Sequence, residues 1–238
     1  MSRNAVKYLA MLTMFCNHFA YVFLKEGSIG QEVMIDIGYF TAITMCYFLV
    51  EGYHYTRSVK KYALRLLVFG ILSQIPFMLA LKQTNLNMMF SLLLCLGVVW
   101  ITDHVKNKGE KNALLCVLVF CSLWTDWALL APVFTILFAN AYGDRKKVTL
   151  AYMKATGLFL FLNILSYAKD YGPAMNIIHS VCACVGLLMS GIVIQCVYDK
   201  EKKRKIYGWE KWFFYGFYPI HLLILWLIGF AKVYIGRL

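Results

Sequence analysis

Three histidines of this chain, His18, His179 and His221, lie inside long apolar runs, and Asn17 stands directly before the first of them. Asp126 sits at the tip of Trp124-Thr125-Asp126-Trp127, between two short apolar segments. Ionisable groups in hydrocarbon are costly, so each invites a functional reading. Imidazole titrates near neutral pH and can act as a general base. Inside a bilayer the same ring is equally an interhelical hydrogen-bond partner, which is the better reading for any one histidine alone. Three histidines and an aspartate at similar depth point instead to a polar site, although spacing does not show whether they converge. Tyr215, Tyr218 and His221 recur at i, i+3, i+6, with Pro219 among them to kink the helix or free a carbonyl. That stripe reads as a pocket wall or as an interfacial aromatic belt, and His221 is deep for a belt. His104 borders a charged loop and reads as solvated.

A second layer holds Glu51, Tyr53, His54, Arg57, Lys61 and Arg65. The three cations are spaced i, i+4, i+8, so a helix beginning early enough would carry them as one stripe. Such a stripe suits the phosphates of a nucleotide-like cofactor, and it equally suits snorkelling to anionic lipid headgroups. Glu51 shares a face with His54 three residues on, and a salt bridge to an arginine is its structural reading.

The elements that must position these groups are apolar helices. The chain has 238 residues, 61% of them hydrophobic and 16% aromatic, against the roughly 45–50% apolar content of a soluble domain. A membrane helix takes about 20 mostly apolar residues. The segments 5–24, 33–53, 61–81, 86–102, 112–125, 127–142, 149–168, 174–198 and 210–233 predict an all-α, polytopic bundle of about nine helices in a single domain, 1–238. The first segment reads as a retained helix rather than a removed signal peptide. The fifth and sixth are short, and predict either two short helices or a re-entrant hairpin with Asp126 at its tip. Period-2 alternation, the mark of a β-barrel, is missing. An internal repeat, the mark of many transporters, is not visible either.

Charge orients the bundle. The formal net charge is +12, but the basic residues sit in short loops between apolar runs rather than on a soluble face, which argues against a nucleic-acid partner. Nineteen Lys and Arg fall on the side of the N-terminus and five, Lys25, Lys82, Lys169, Lys232 and Arg237, on the other. The positive-inside rule makes the N-terminal side cytoplasmic and puts the C-terminus outside. All eight cysteines fall in apolar segments without metal-ligand spacing, and read as small buried hydrophobes with no bound metal.

These same residues carry a resemblance. Lys7-Tyr8-Leu9-Ala10-Met11 with Met14 and Asn17-His18, the run from Phe48 to Arg57, and Lys61-Tyr62-Ala63-Leu64-Arg65-Leu66 resemble the TraX family of bacterial membrane proteins. Ser73-Gln74-Ile75-Pro76-Phe77, Leu86-Asn87-Met88-Met89-Phe90 and the run from Phe214 to Leu222 extend the likeness over most of the chain. A looser likeness reaches the wider integral-membrane acyltransferases. Where the family has Asp-His late in the first helix, this chain has Asn17-His18. Where the family has Asp-Tyr-Gly after the fifth segment, it has Asp126-Trp127-Ala128.

The resemblance implies an acetyltransferase of the bacterial cytoplasmic membrane. It would use acetyl-CoA from the cytoplasm and an amine acceptor, such as the N-terminus of a membrane-associated or exported peptide, amid membrane lipids. On that reading His18 is the general base or a transient acetyl carrier, supported by His221, Asp126 and Asn17. Arg57, Lys61 and Arg65 hold the cofactor phosphates, with Glu51, Tyr53 and Tyr218 beside them, Tyr53 stacking on the adenine. Asn87 or His221 stabilises the oxyanion, and Asn87 and His179 face the substrate. The other readings of the same residues are a proton-coupled transporter or exporter, and a non-catalytic membrane assembly factor.

Overall fold

A computed structural model describes residues 1–169, 172–201 and 208–235. Its helices are α1 (Arg3–Phe23), α2 (Ile29–Tyr55), α3 (Val59–Leu81), α4 (Met88–His104), α5 (Lys108–Cys121), α6 (Leu130–Ala141), α7 (Arg145–Ser166), α8 (Pro173–Ala183), α9 (Val185–Ile192) and α10 (Gly208–Ile235). No strand forms among the described residues. The nine apolar segments all appear as helices, in order. The eighth is bent at Cys184, which divides α8 from α9, and ends in a wide turn over Val193–Val197. Part of the basic run, Lys202-Lys203-Arg204-Lys205, and Arg237 fall outside the described residues.

Several helices start two to four residues before their apolar windows, because a polar residue caps them. Ser2, Ser28 and Ser58 accept from the backbone N–H three residues on. Asn87, Asn107 and Asp144 close the first turns of α4, α5 and α7 in the same way. Each cap satisfies N–H groups that would otherwise be orphaned in a low-dielectric medium. It also brings the charged first-turn residue Arg3 into the helix.

Helix α2 is the hub. It packs against α1, α4, α6, α8 and α9, and its residues from Phe40 to Val50 are nearly all buried. Two crossings are close because glycine permits them. A Cβ on Gly38 would lie 2.3 Å from the Asn17 Cβ of α1, and one on Gly186 of α9 would lie 2.2 Å from the Asp36 carbonyl oxygen. Small residues at such contacts let helix backbones approach where no hydrophobic drive separates helix from lipid. Helix α3 pairs with α10 and α4 and turns Leu64, Leu67, Val68, Ile71, Leu72 and Ile75 outward. That apolar outer row is what a helix shows to lipid.

Five helical spans, α2, α3, α7, α8–α9 and α10, are long and apolar enough to cross a membrane. The α5–α6 pair is shorter. At roughly 1.5 Å per residue the 14 residues of α5 give about 21 Å, under the hydrocarbon thickness of about 30 Å. The pair is two short helices, joined by a tight turn over Ser122–Trp124. The loop that follows is pinned to the start of α4. Leu86 N donates to the Trp124 carbonyl at 2.9 Å, and Asp126 N donates to the Leu86 carbonyl at 2.6 Å.

Candidate functional site

Two cavities meet inside the bundle. The inner one, on the basic side, has a volume of about 450 Å³ and is walled by α1, α2, α3, α4 and α10. That is within the ~300–1,000 Å³ typical of small-molecule sites. Its cations are Arg3, Lys7 and Arg65. Aromatic rings brace each of them. The Arg3 guanidinium lies 5.5 Å from the Phe48 ring centroid, the Lys7 ammonium 5.0 Å from Phe214, and the Arg65 guanidinium 5.5 Å from Tyr62 and 5.9 Å from Tyr215. Arg65 Nε also donates to the Tyr215 hydroxyl at 3.4 Å. The carboxylate of Glu210, fully buried, is also in this wall and accepts from Asn4 Nδ2 at 3.0 Å.

The outer cavity is smaller, about 100 Å³. His18, Asn17, Asp126, Tyr21, Tyr39 and Trp127 are in its wall. Met14, Thr41, Met88 and Tyr218 line both cavities. The two spaces therefore adjoin, with α1 running from the cations of one to the histidine of the other.

His18 is positioned by a hydrogen-bond chain. Its Nδ1 lies 2.7 Å from His221 Nε2, with the rings stacked at 5.0 Å. His221 Nδ1 lies 2.7 Å from the Phe217 carbonyl oxygen one turn back on α10. A carbonyl only accepts, so His221 carries its proton on Nδ1, and its Nε2 lone pair accepts from His18 Nδ1–H. The neutral His18 then keeps its lone pair on Nε2, the nitrogen a base needs. Both rings are buried, His18 at 7% and His221 at 3% exposure.

Asp126 is in the loop beyond α5. Its carboxylate accepts from the Trp127 N–H at 3.0 Å, and its backbone carbonyl accepts from the Ser91 hydroxyl. Burial pushes its carboxyl up to about 6. The residues after it are strained: Trp127 and Leu129 hold φ of 59° and 63°, a conformation that costs a residue with a Cβ roughly 1–2 kcal/mol. Asn17 donates Nδ2–H to the Ile35 carbonyl at 3.2 Å. An amide can make that bond and a carboxylate cannot.

The structure gathers some of the sequence-derived candidates and scatters others. His18, His221, Asn17, Asp126, Tyr218 and Arg65 stand at or beside the two cavities. Helix α3 begins at Val59, so Arg57 lies in the preceding linker; Arg57 and Lys61 are exposed and line neither cavity. Glu51 is 1% exposed and does form a salt bridge to an arginine. The partner is Arg3, at 3.1 Å, and Tyr198 also donates to Glu51 at 2.9 Å. Tyr53 turns away, its hydroxyl 3.3 Å from Asp103 and from His104 on α4. His179 packs edge-on against Tyr167, 4.6 Å between centroids, outside the outer cavity. Asn87 is fully buried as the cap of α4. Its Nδ2 donates to the Gly70 carbonyl at 2.7 Å and to Gln74 at 2.9 Å, while its oxygen accepts from Met89 N at 3.0 Å. It therefore fixes the start of α4, which carries Met88 to the junction.

Arg3 and Lys7 escape a charge count that treats them as loop residues. The signal is present nonetheless: Arg3, Lys7, Met11, Met14 and His18 recur at helical spacing, and all five line one cavity or the other.

The fold and its paired cavities define a multi-pass helical membrane protein with a buried polar site. The family described as TraX protein matches residues 2–229, and the chain belongs to that family. A relative in Dichelobacter nodosus, described as probable fimbrial assembly protein FimC, serogroup H1, is 32% identical over 245 residues, covering 94% of this chain and 97% of the relative. No solved structure matches the chain.

Proposed function

We propose that this protein is an acetyltransferase of the bacterial cytoplasmic membrane, which moves an acetyl group from acetyl-CoA on the basic, cytoplasmic side to an amine on the outer side. The observation that carries this reading is the junction of the cavities at Met14, Thr41, Met88 and Tyr218, with cations on one side of it and His18 on the other. Arg3, Lys7 and Arg65 supply the charge that phosphates need, and Tyr55, Tyr62 and Tyr215 supply flat surfaces for a base. His18 Nε2 takes the proton of the attacking amine as the nitrogen–carbon bond forms. The carbon–sulfur bond then breaks, and the proton returns to the departing thiolate. Tyr218, which lines both cavities, donates to the oxygen that gains charge in between. Asp126 holds the incoming ammonium form at the outer mouth, where it gives up one proton to water before the neutral amine attacks.

The acceptor on this reading is the N-terminus of an exported or membrane-associated peptide, a class in keeping with the pilus-related description of the relative. The test is incubation of purified protein with labelled acetyl-CoA and a short peptide bearing a free N-terminus, followed by mass spectrometry. Label is expected on the peptide amine with the wild type and not with His18→Ala. No incorporation by the wild type, or wild-type transfer by His18→Ala, overturns the reading. The description of the relative favours a second reading, a non-catalytic role in fimbrial assembly. Binding of a pilus subunit by a protein without acetyl transfer would carry that one.

A further inference from the structure

We infer that Arg3 is a phosphate-binding residue of the inner cavity, and that Glu51 and Gly52 are the residues that position it. The inference rests on the thioester-donor reading above. It deepens that reading by giving Glu51 and Gly52, near the end of α2, the task of aiming Arg3 into the cavity.

Arg3 is the first residue of α1. Here it is tied on three sides. Glu51, buried to 1% exposure, faces its Nε at 3.1 Å. The Phe48 carbonyl accepts from its Nη2 at 3.0 Å. The Phe48 and Tyr55 rings lie 5.5 and 6.0 Å from the guanidinium carbon. Glu51 is in turn fixed by the Tyr198 hydroxyl, which reaches both carboxylate oxygens at 2.9 Å, and by Lys200 at 4.0 Å. The chain start itself is moored alongside: the Met1 amine donates to the Val197 carbonyl, and Asp199 N donates to the Met1 carbonyl at 3.0 Å.

Gly52 supplies the space. A Cβ there would stand 3.0 Å from Arg3 Nη2 and 3.5 Å from the Tyr62 ring. The guanidinium therefore passes α2 at a position without a side chain and reaches the cavity wall beside Lys7 and Arg65. A guanidinium has five N–H donors. The Phe48 carbonyl takes an Nη2 N–H and the Glu51 carboxylate pairs with the Nε side by charge alone, which leaves the Nη1 N–H groups for a phosphate oxygen. Three cations, Arg3, Lys7 and Arg65, stand against two carboxylates, Glu210 in the wall and Glu51 behind Arg3, so the wall is net positive. A dianionic or trianionic ligand complements that charge.

The test uses acetyl-CoA turnover and two partial ligands as competitive inhibitors: adenosine 3′,5′-bisphosphate, which has phosphates and no arm, and pantetheine, which has the arm and no phosphates. The variants are Gly52→Ala and the double variant Arg3→Gln/Glu51→Gln, which removes both charges together so that neither is left buried alone. In both, KM for acetyl-CoA and Ki for the bisphosphate are expected to rise about tenfold or more, the scale of one charge-assisted contact. Ki for pantetheine and kcat stay within about twofold. Equal loss for both inhibitors would assign Arg3 a structural role and overturn the inference. So would variants indistinguishable from wild type, or wild-type turnover that the bisphosphate does not inhibit. In each of these cases acetyl transfer by the wild type keeps the proposed function standing; a wild type with no turnover removes both.

Discussion

Replacing His221 by Phe isolates the role of the imidazole pair. The ring volume and its stacking on Phe217, 4.7 Å away, are retained, but the acceptor for His18 Nδ1–H is lost. A buried donor without a partner costs about 1–3 kcal/mol. His18 escapes that cost by moving its proton to Nε2, which puts the lone pair on the nitrogen facing the new phenyl ring. The competent tautomer is then disfavoured by the same amount, and kcat should fall about 5- to 150-fold. KM for acetyl-CoA should stay within about twofold, because Arg3, Lys7 and Arg65 are untouched. The assay is acetyl transfer to a peptide amine over a range of acetyl-CoA concentrations, with His18→Ala and the double variant beside it. Since His221 acts only through His18, the double variant should be no slower than His18→Ala alone. Wild-type kcat in His221→Phe, or a double variant slower than both singles, would refute the tautomer argument.

Other consequences follow from the same geometry. Arg3→Ala alone leaves Glu51 buried and short of its main cation, and should lower stability by about 3–5 kcal/mol; Arg3→Ala/Glu51→Leu should recover most of that in a thermal unfolding series in detergent. Gly186→Ala forces a methyl to 2.2 Å from the Asp36 carbonyl, so the α2–α9 crossing must open, at a cost of about 1–3 kcal/mol in the same assay. Asp126 titrates near 6. It is charged above that pH and neutral below, so KM for an amine acceptor should rise as pH falls through about 6, and Asp126→Asn should flatten that profile. Leu129→Gly relieves the positive φ of a tight γ-turn closed by Leu130 N on the Ala128 carbonyl and should raise the unfolding temperature slightly, for a gain of up to about 1–2 kcal/mol.

The helices were legible because hydrocarbon leaves the backbone little choice: each apolar run closes its own hydrogen bonds, so order and number follow from composition. Helix starts were less legible, since caps such as Ser58 and Asn107 lie in polar stretches that a hydropathy window discards. Within the site, His18 and His221 stood out as titratable groups in apolar runs, but only the fold joins positions 203 residues apart. Arg57 and Lys61 had the right spacing but stand off the cavity. Ser58 caps α3 with its hydroxyl, which excludes Arg57 from the helix, and Lys61 is exposed in the first turn, one turn short of Arg65. The cations that do line the cavity, Arg3 and Lys7, looked like flanking charges, because the buried partner that draws Arg3 inward, Glu51, is 48 residues away. Contacts of that range follow from packing, which a local spacing rule does not contain.

The most direct test of the account separates the two sides of the bilayer. The protein is reconstituted in one orientation in proteoliposomes, with labelled acetyl-CoA on the basic side only and a membrane-impermeant amine peptide on the other side only. The account predicts acetylated peptide in that arrangement, and none with His18→Ala. Transfer only when donor and acceptor share a side would contradict passage between the two cavities, and no transfer in any arrangement would contradict the chemistry itself.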